Sequence, residues 1–214
     1  MNSNKELKIK ILEVEQFSKQ NLIKRLRGLT MLEDESVFPY KNSFISLENI
    51  SVDDLFPAQR YVLKQELLKV RELKWQLEDH DIDLFNLNGF VRMKLEGESE
   101  PVDLLPPVVE EFIERNGRIA NIINDGMHRV YTAYLEWLIP QVVFVRGLQK
   151  DIPYYSFPIP EKDWTKIELR DDIPTGFIKK WHRIEQNKKL YRNFNSVFEN
   201  VGGPRGNTAK QGGI

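Results

Sequence analysis

The sequence predicts an α+β fold: a mixed sheet with flanking helices, extended at both ends by helical segments. Three observations carry that expectation. Two apolar runs, 107–115 and 118–124, are joined by Asn116-Gly117, the strongest two-residue hairpin signal. The second run passes into Asn124-Asp125-Gly126 and then into helical spacing, so a strand, a sharp turn and a helix follow one another. A further apolar run, 139–145, reads as a buried strand, with Pro140 at its entry where a missing amide matters least.

The remaining elements follow in chain order. Leu7, Ile9 and Ile11 alternate like a strand, and Leu22, Ile23 and Leu26 have helical spacing that stops at Gly28; the segment reads as a short strand or helix followed by a basic helix. After an acidic, turn-like stretch with Pro39, Phe44 to Leu47 forms a short strand. Leu63, Leu67, Val70 and Leu77 predict an amphipathic helix over 57–79 with Pro57 in its first turn. His80 to Asp83 reads as a turn, Phe90 to Leu95 as a strand, and Glu96 to Glu100 as an exposed loop. A short helix over 107–115, closed by Asn116-Gly117, competes with the hairpin; Val108, Val109, Phe112 and Ile113 favour the sheet. Residues 127–138 form a helix with Val130, Ala133, Tyr134 and Trp137 on one face. Beyond it, 152–164 is proline-rich and aromatic and wraps the core or lines a pocket. Residues 175–190 read as a basic helix, and the aromatic tail 191–207 docks near the turn at 125–128.

Composition bounds the function. A chain of 214 residues with 41% apolar and 29% charged residues can bury one good core. No apolar run approaches the roughly 18 residues of a membrane span, and the N-terminus lacks the apolar centre of a signal peptide. There is no cysteine, which excludes disulfides, thiolate metal sites and cysteine nucleophiles, and three scattered histidines argue against a protein-built zinc site. A cytoplasmic home fits. The net charge of −1 conceals basic ends around an acidic middle: residues 1–30 hold seven Lys/Arg against three acids, and 179–214 hold eight against two. Such ends bind nucleic acid or neutralise the body, and nucleic acid is the less favoured partner.

The turn at 125–128 is the candidate site. Gly126 permits positive φ and close approach of a ligand. The first amides of the following helix point outward without partners, backed by the helix dipole. That is an anion site, and it carries His128 and Arg129, both able to donate to phosphate. Asp125-Gly126-Met127-His128-Arg129, followed by Val-Tyr-Thr-Ala-Tyr, resembles the phosphate-binding turn of the ParB/sulfiredoxin superfamily. Leu105-Pro106-Pro107-Val108-Val109 resembles the strand that precedes that turn. Gln59-Arg60 matches the superfamily's Gln-(Pro)-Arg element, without the proline.

The resemblance covers roughly 44–146. It implies a ParB/sulfiredoxin-like core there, an N-terminal extension over 1–43, and a C-terminal extension over 147–214 that packs on the core. It implies a bound nucleoside triphosphate or diphosphate (ATP/ADP or CTP) with Mg2+, contacted by Gln59, Arg60, Gly126, Met127, His128 and Arg129. Arg205, in Gly-Gly-Pro-Arg-Gly, is a further candidate contact. Sulfiredoxin chemistry is excluded, because Met127 stands where that reaction needs cysteine. The turn is also similar to that of free-serine kinases in the superfamily. By that likeness Asp125 holds Mg2+ or polarises an acceptor, His128 and Arg129 neutralise the transferred phosphoryl group, and Glu48 is a candidate base. The expected function is NTP-dependent phosphotransfer to a small molecule or NTP hydrolysis. A nucleotide-gated DNA-binding or partner-binding module is the alternative. His128 replaces the first arginine of the ParB Gly-X-Arg-Arg turn, and no helix-turn-helix pattern follows the core.

Overall fold

A computed structural model describes residues 9–156, 159, 161–173 and 187–201. The chain opens with β1 (Ile11–Ser18) and α1 (Lys19–Arg27). Ser18 caps α1 by accepting the Asn21 amide, and Gly28 closes it. Then come β2 (Thr30–Met31), β3 (Phe44–Asn49), β4 (Tyr61–Leu63) and α2 (Lys64–Glu78). They are followed by β5 (Gly89–Leu95), β6 (Val102–Leu104), β7 (Val108–Ile113), β8 (Ile119–Asp125), α3 (Met127–Leu135) and β9 (Gln141–Arg146). The last described elements are β10 (Glu168–Arg170), α4 (Asn187–Leu190) and β11 (Arg192–Asn193).

The expected mixed sheet is four-stranded, in the order β3-β9-β7-β8. β7 and β8 pair antiparallel from Ile113↔Ile119 to Val108↔Asp125, β9 runs parallel to β7, and β3 is antiparallel to β9. The hairpin loop is one residue longer than Asn-Gly alone implies. Asn116 keeps negative φ and only Gly117, at φ 83°, is left-handed. The Gly117 amide donates to the Glu114 carbonyl and the Glu114 amide to the Arg118 carbonyl. That is a three-residue loop whose last residue is a left-handed glycine.

A second sheet, β1-β5-β6, is wholly antiparallel. Val91, Met93 and Val102 from it join Leu67 and Val70 of α2, Val130 of α3 and Val109 and Phe144 of the mixed sheet in one core. The other face of the mixed sheet, with Ile45, Val108, Val143 and Val145, packs with Leu22 and Leu26 of α1, Phe90, Phe198 and Val201. The tail therefore docks as far as residue 201. Its β11 pairs with β2, and Phe198 and Val201 are buried. Tyr155 and Trp164 of the proline-rich stretch are buried too, so that stretch wraps the core.

Two boundaries differ from the periodicity. The helix expected over 57–79 begins at Lys64. Pro57 to Arg60 form a loop, and Tyr61–Leu63 pair in parallel with β10. The sheet partner at 168–170 is remote in sequence, and a buried Tyr-Val pair suits a strand. The helix expected over 127–138 ends at Leu135, and Trp137 lies outside it at φ 56°. Most of the expected 175–190 helix, and the tail from 202 onward, lie outside the described residues.

Candidate functional site

The turn forms where β8 meets α3. Gly126 sits at φ 85°, ψ 24°, in the left-handed region, and it is the N-cap of α3 without any side-chain cap. The start of α3 thus keeps its amides unclaimed by a capping side chain, as expected. The reason for glycine differs from the expectation. A Cβ there would stand 2.9 Å from the Pro107 Cβ and 2.9 Å from Arg129 Nη2. The space is taken by the chain itself, so the glycine serves positive φ and close packing on Pro107.

Arg129 is also placed differently from a free phosphate fork. It is buried, its Nη1 donates to the Leu105 carbonyl, and its Nη2 donates to Asp125 Oδ2 at 3.0 Å. Burial pulls the guanidinium below its ordinary basicity, and the Asp125 charge and hydrogen bond push back. The pair ties the turn to the chain segment entering β7. Asp125 keeps about a quarter of its side chain accessible and lies two residues before the first residue of α3. His128 Nε2 accepts the Leu63 amide at 3.1 Å, which needs that nitrogen unprotonated. Its first function in this structure is to hold β4 against α3, rather than to present a positive charge. Met127 is buried among the residues under α3.

Gln59 is buried and its amide donates to the Tyr61 carbonyl at 2.7 Å, shaping the approach to β4. Arg60 is exposed, and its carbonyl accepts the Glu168 amide. The Gln59–Arg60 segment leads into β4, which His128 ties to the turn. Glu48 is not brought to the turn. It lies on β3, with β9 and β7 between it and β8, about 14 Å away at ordinary strand spacing. Its carboxylate makes a two-pronged pair with Arg146, at 2.6 and 2.9 Å, and that contact holds it below the usual carboxylate range. A lowered, paired carboxylate is a poor base, and the structure does not bring Glu48 together with the turn. Arg205 lies outside the described residues.

Behind the turn is a buried polar cluster that sequence reading did not find. Val109 pairs with Ile123 but Val108 pairs with Asp125, so Asn124 is the extra residue of a β-bulge. Its Nδ2 donates to Glu110 Oε1 at 2.5 Å, and the Tyr40 hydroxyl donates to the same oxygen at 2.5 Å. Arg192 of the tail completes the cluster, donating from Nε at 2.8 Å and from Nη2 to Oε2 at 2.9 Å. Both charged side chains are fully buried. The apolar surroundings, followed by the charge of Glu110, push the Tyr40 phenol well above its ordinary value. One sequence signal was available. In β7, Glu110 shares the alternation of Val108 and Phe112 and so falls on a core-facing position.

Among the described residues no group of three or more His, Asp or Glu could hold a metal by itself, and no helix is long and apolar enough to cross a membrane.

A mixed sheet whose strand turns through a left-handed glycine into an uncapped helix defines an α+β protein with an anion-competent turn. The family model described as the ParB CE domain matches residues 21–168, more than two thirds of the chain, and the chain belongs to that family. The match begins inside α1 and ends at the first residue of β10, wider than the 44–146 expected from the resemblance. No curated protein and no solved structure matches the chain significantly.

Proposed function

We propose that the chain is a nucleotide-binding protein that carries out NTP-dependent phosphotransfer to a small molecule, or NTP hydrolysis, in the cytoplasm. The observation that carries this reading is the uncapped start of α3 behind the left-handed Gly126, in a chain of the ParB CE domain family. Phosphate oxygens would accept the amides of Met127 and His128. The buried Arg129 guanidinium would add positive potential from behind rather than a direct fork. Asp125 would supply one ligand to Mg2+, which ordinarily takes one or two carboxylates together with substrate phosphates and water. The donor set fits that metal only when a nucleotide brings the remaining oxygens. The metal would neutralise charge on the phosphates; the chain's own part is to orient them on the amides and hold Asp125 in place through Arg129.

The basic surface of α1, with Lys19, Lys24 and Arg27 exposed and no acid in the helix, favours the second reading: a nucleotide-gated module that binds DNA or a protein partner. Titration calorimetry with ATP, ADP, CTP and GTP, with and without Mg2+, tests the first reading. One nucleotide should bind wild type, and Asp125→Asn should keep that affinity while losing its Mg2+ dependence. Wild type that binds none of the four overturns both readings. Binding without phosphate release or transfer, together with nucleotide-dependent DNA binding, selects the second.

A further inference from the structure

The far end of α3 is built against the usual rule for helix endings. The Leu138 amide donates to the Ala133 carbonyl at 2.9 Å, and the Trp137 amide approaches the Tyr134 carbonyl at 3.4 Å. This is the paired closure in which the residue after the cap is left-handed, a position normally held by glycine. Here it is Trp137, at φ 56°. A bulky residue is strained in that region. The residue is 93% exposed, so no packing among the described residues offsets the strain. Leu138 and Ile139 follow it onto the surface, and Ile139 is 60% exposed.

The neighbourhood extends the patch and gives it a sign. Lys74 and Arg71 of α2 reach Glu136 at 2.9 and 3.8 Å, which joins the outer stripe of α2, including the exposed Trp75, to the end of α3. Residues 71–83 hold five acids against two Lys/Arg, and both cations are turned toward Glu136. The Glu136 hydrogen bond raises the Lys74 ammonium above its ordinary value, with the charges of Glu136, Glu78 and Asp83 adding. Asp79 and Asp81 are exposed beside them. Tryptophan anchors and an acid rim are the complement of a helix with an apolar stripe and basic flanks. A symmetric contact with a second copy would set acid against acid, and anionic lipid would be repelled.

We propose that this surface, centred on Trp137, docks a basic amphipathic helix of another protein. The test uses the full chain and two synthetic helical peptides sharing one leucine stripe, one with lysine and one with glutamate at the polar positions. Calorimetry should show micromolar binding of the lysine peptide that weakens with added salt, and no binding of the glutamate peptide. Trp137→Gly should lose at least tenfold in affinity while its melting temperature rises, because glycine relieves the left-handed position. Asp79→Asn/Asp81→Asn should flatten the salt dependence with the fold intact, since asparagine tolerates the left-handed φ of Asp81. Equal binding of both peptides, undiminished binding by Trp137→Gly, or a lower melting temperature for that variant each overturns the proposal. So does wild-type self-association in sedimentation that Trp137→Gly abolishes, which would assign the surface to a second copy.

Discussion

Replacing Arg192 by methionine tests how the tail is fastened to the turn. The Glu110 carboxylate has no access to water and receives four hydrogen bonds, two of them from Arg192. Arg192→Met removes the positive charge and both of those bonds while filling a similar volume, and leaves an uncompensated buried carboxylate. Breaking one side of such a pair costs about 3–5 kcal/mol. In a chain of this length that lowers the melting temperature by about 10 °C. A second variant, Glu110→Gln/Arg192→Met, removes both charges and keeps an acceptor for Tyr40 and Asn124. It should be more stable than Arg192→Met alone by at least about 1 kcal/mol, since the stranded charge is gone. Urea unfolding followed by circular dichroism measures all four corners of the cycle. Amide exchange over 192–201 should accelerate in Arg192→Met and partly recover in the double variant. If the two single costs simply add, the pair is not coupled and the clamp described here is wrong.

Other consequences are open to direct measurement. Gly126→Ala should destabilise by at least about 1–2 kcal/mol from the left-handed backbone alone, and more because its Cβ meets Pro107; chemical denaturation reads it. Arg129→Met should destabilise the fold even without any nucleotide, because the Leu105 carbonyl and Asp125 lose their shared donor; unchanged stability would return Arg129 to the role of a free phosphate ligand. Glu48 is held below its ordinary value of about 4.3 by Arg146, so its contribution is present above that pH and lost as pH falls through the folded value. Glu48→Gln should therefore cost about 0.2–1 kcal/mol near neutrality, the range for a partly exposed pair, with the gap to wild type closing below about pH 4.

Local signals made half of the fold legible. The strand at 44–49, the hairpin, the turn at Gly126 and the strand at 141–146 each carry their pattern within a few residues. What failed was set by partners far away in the chain. Tyr61–Leu63 is a strand because β10, more than a hundred residues later, pairs with it, and a helical period continuing to Leu77 concealed its start. β11 exists because β2 accepts it. Apart from Glu110, whose core-facing place in β7 was a local signal, the polar cluster was hidden for the same reason. Tyr40, Glu110, Asn124 and Arg192 come from four separate stretches, and a bulge that no periodicity announces turns Asn124 inward. Glu48 shows the converse. The strand beside it was read, but it runs on through Glu48 to Asn49, and the partner that holds the carboxylate, Arg146, was not visible.

The Asp125–Arg129 pair constrains what a nucleotide can do at this turn. A ligand that used the Arg129 guanidinium directly would have to withdraw it from the Leu105 carbonyl and from Asp125. It could do so only by binding the opened turn more tightly than the closed one by the full cost of that opening. A ligand held on the amides of α3 faces no such cost. Arg129 then stays buried as a fixed positive charge, and the Asp125 carboxylate, partly neutralised by it, is repelled less by phosphate. Asp125 also keeps about a quarter of its side chain accessible, two residues before the first residue of α3. The buried pair is thus compatible with a phosphate site at Gly126. Its chemistry makes Asp125 the group to change when asking about metal, and Arg129 the group to change when asking about the fold.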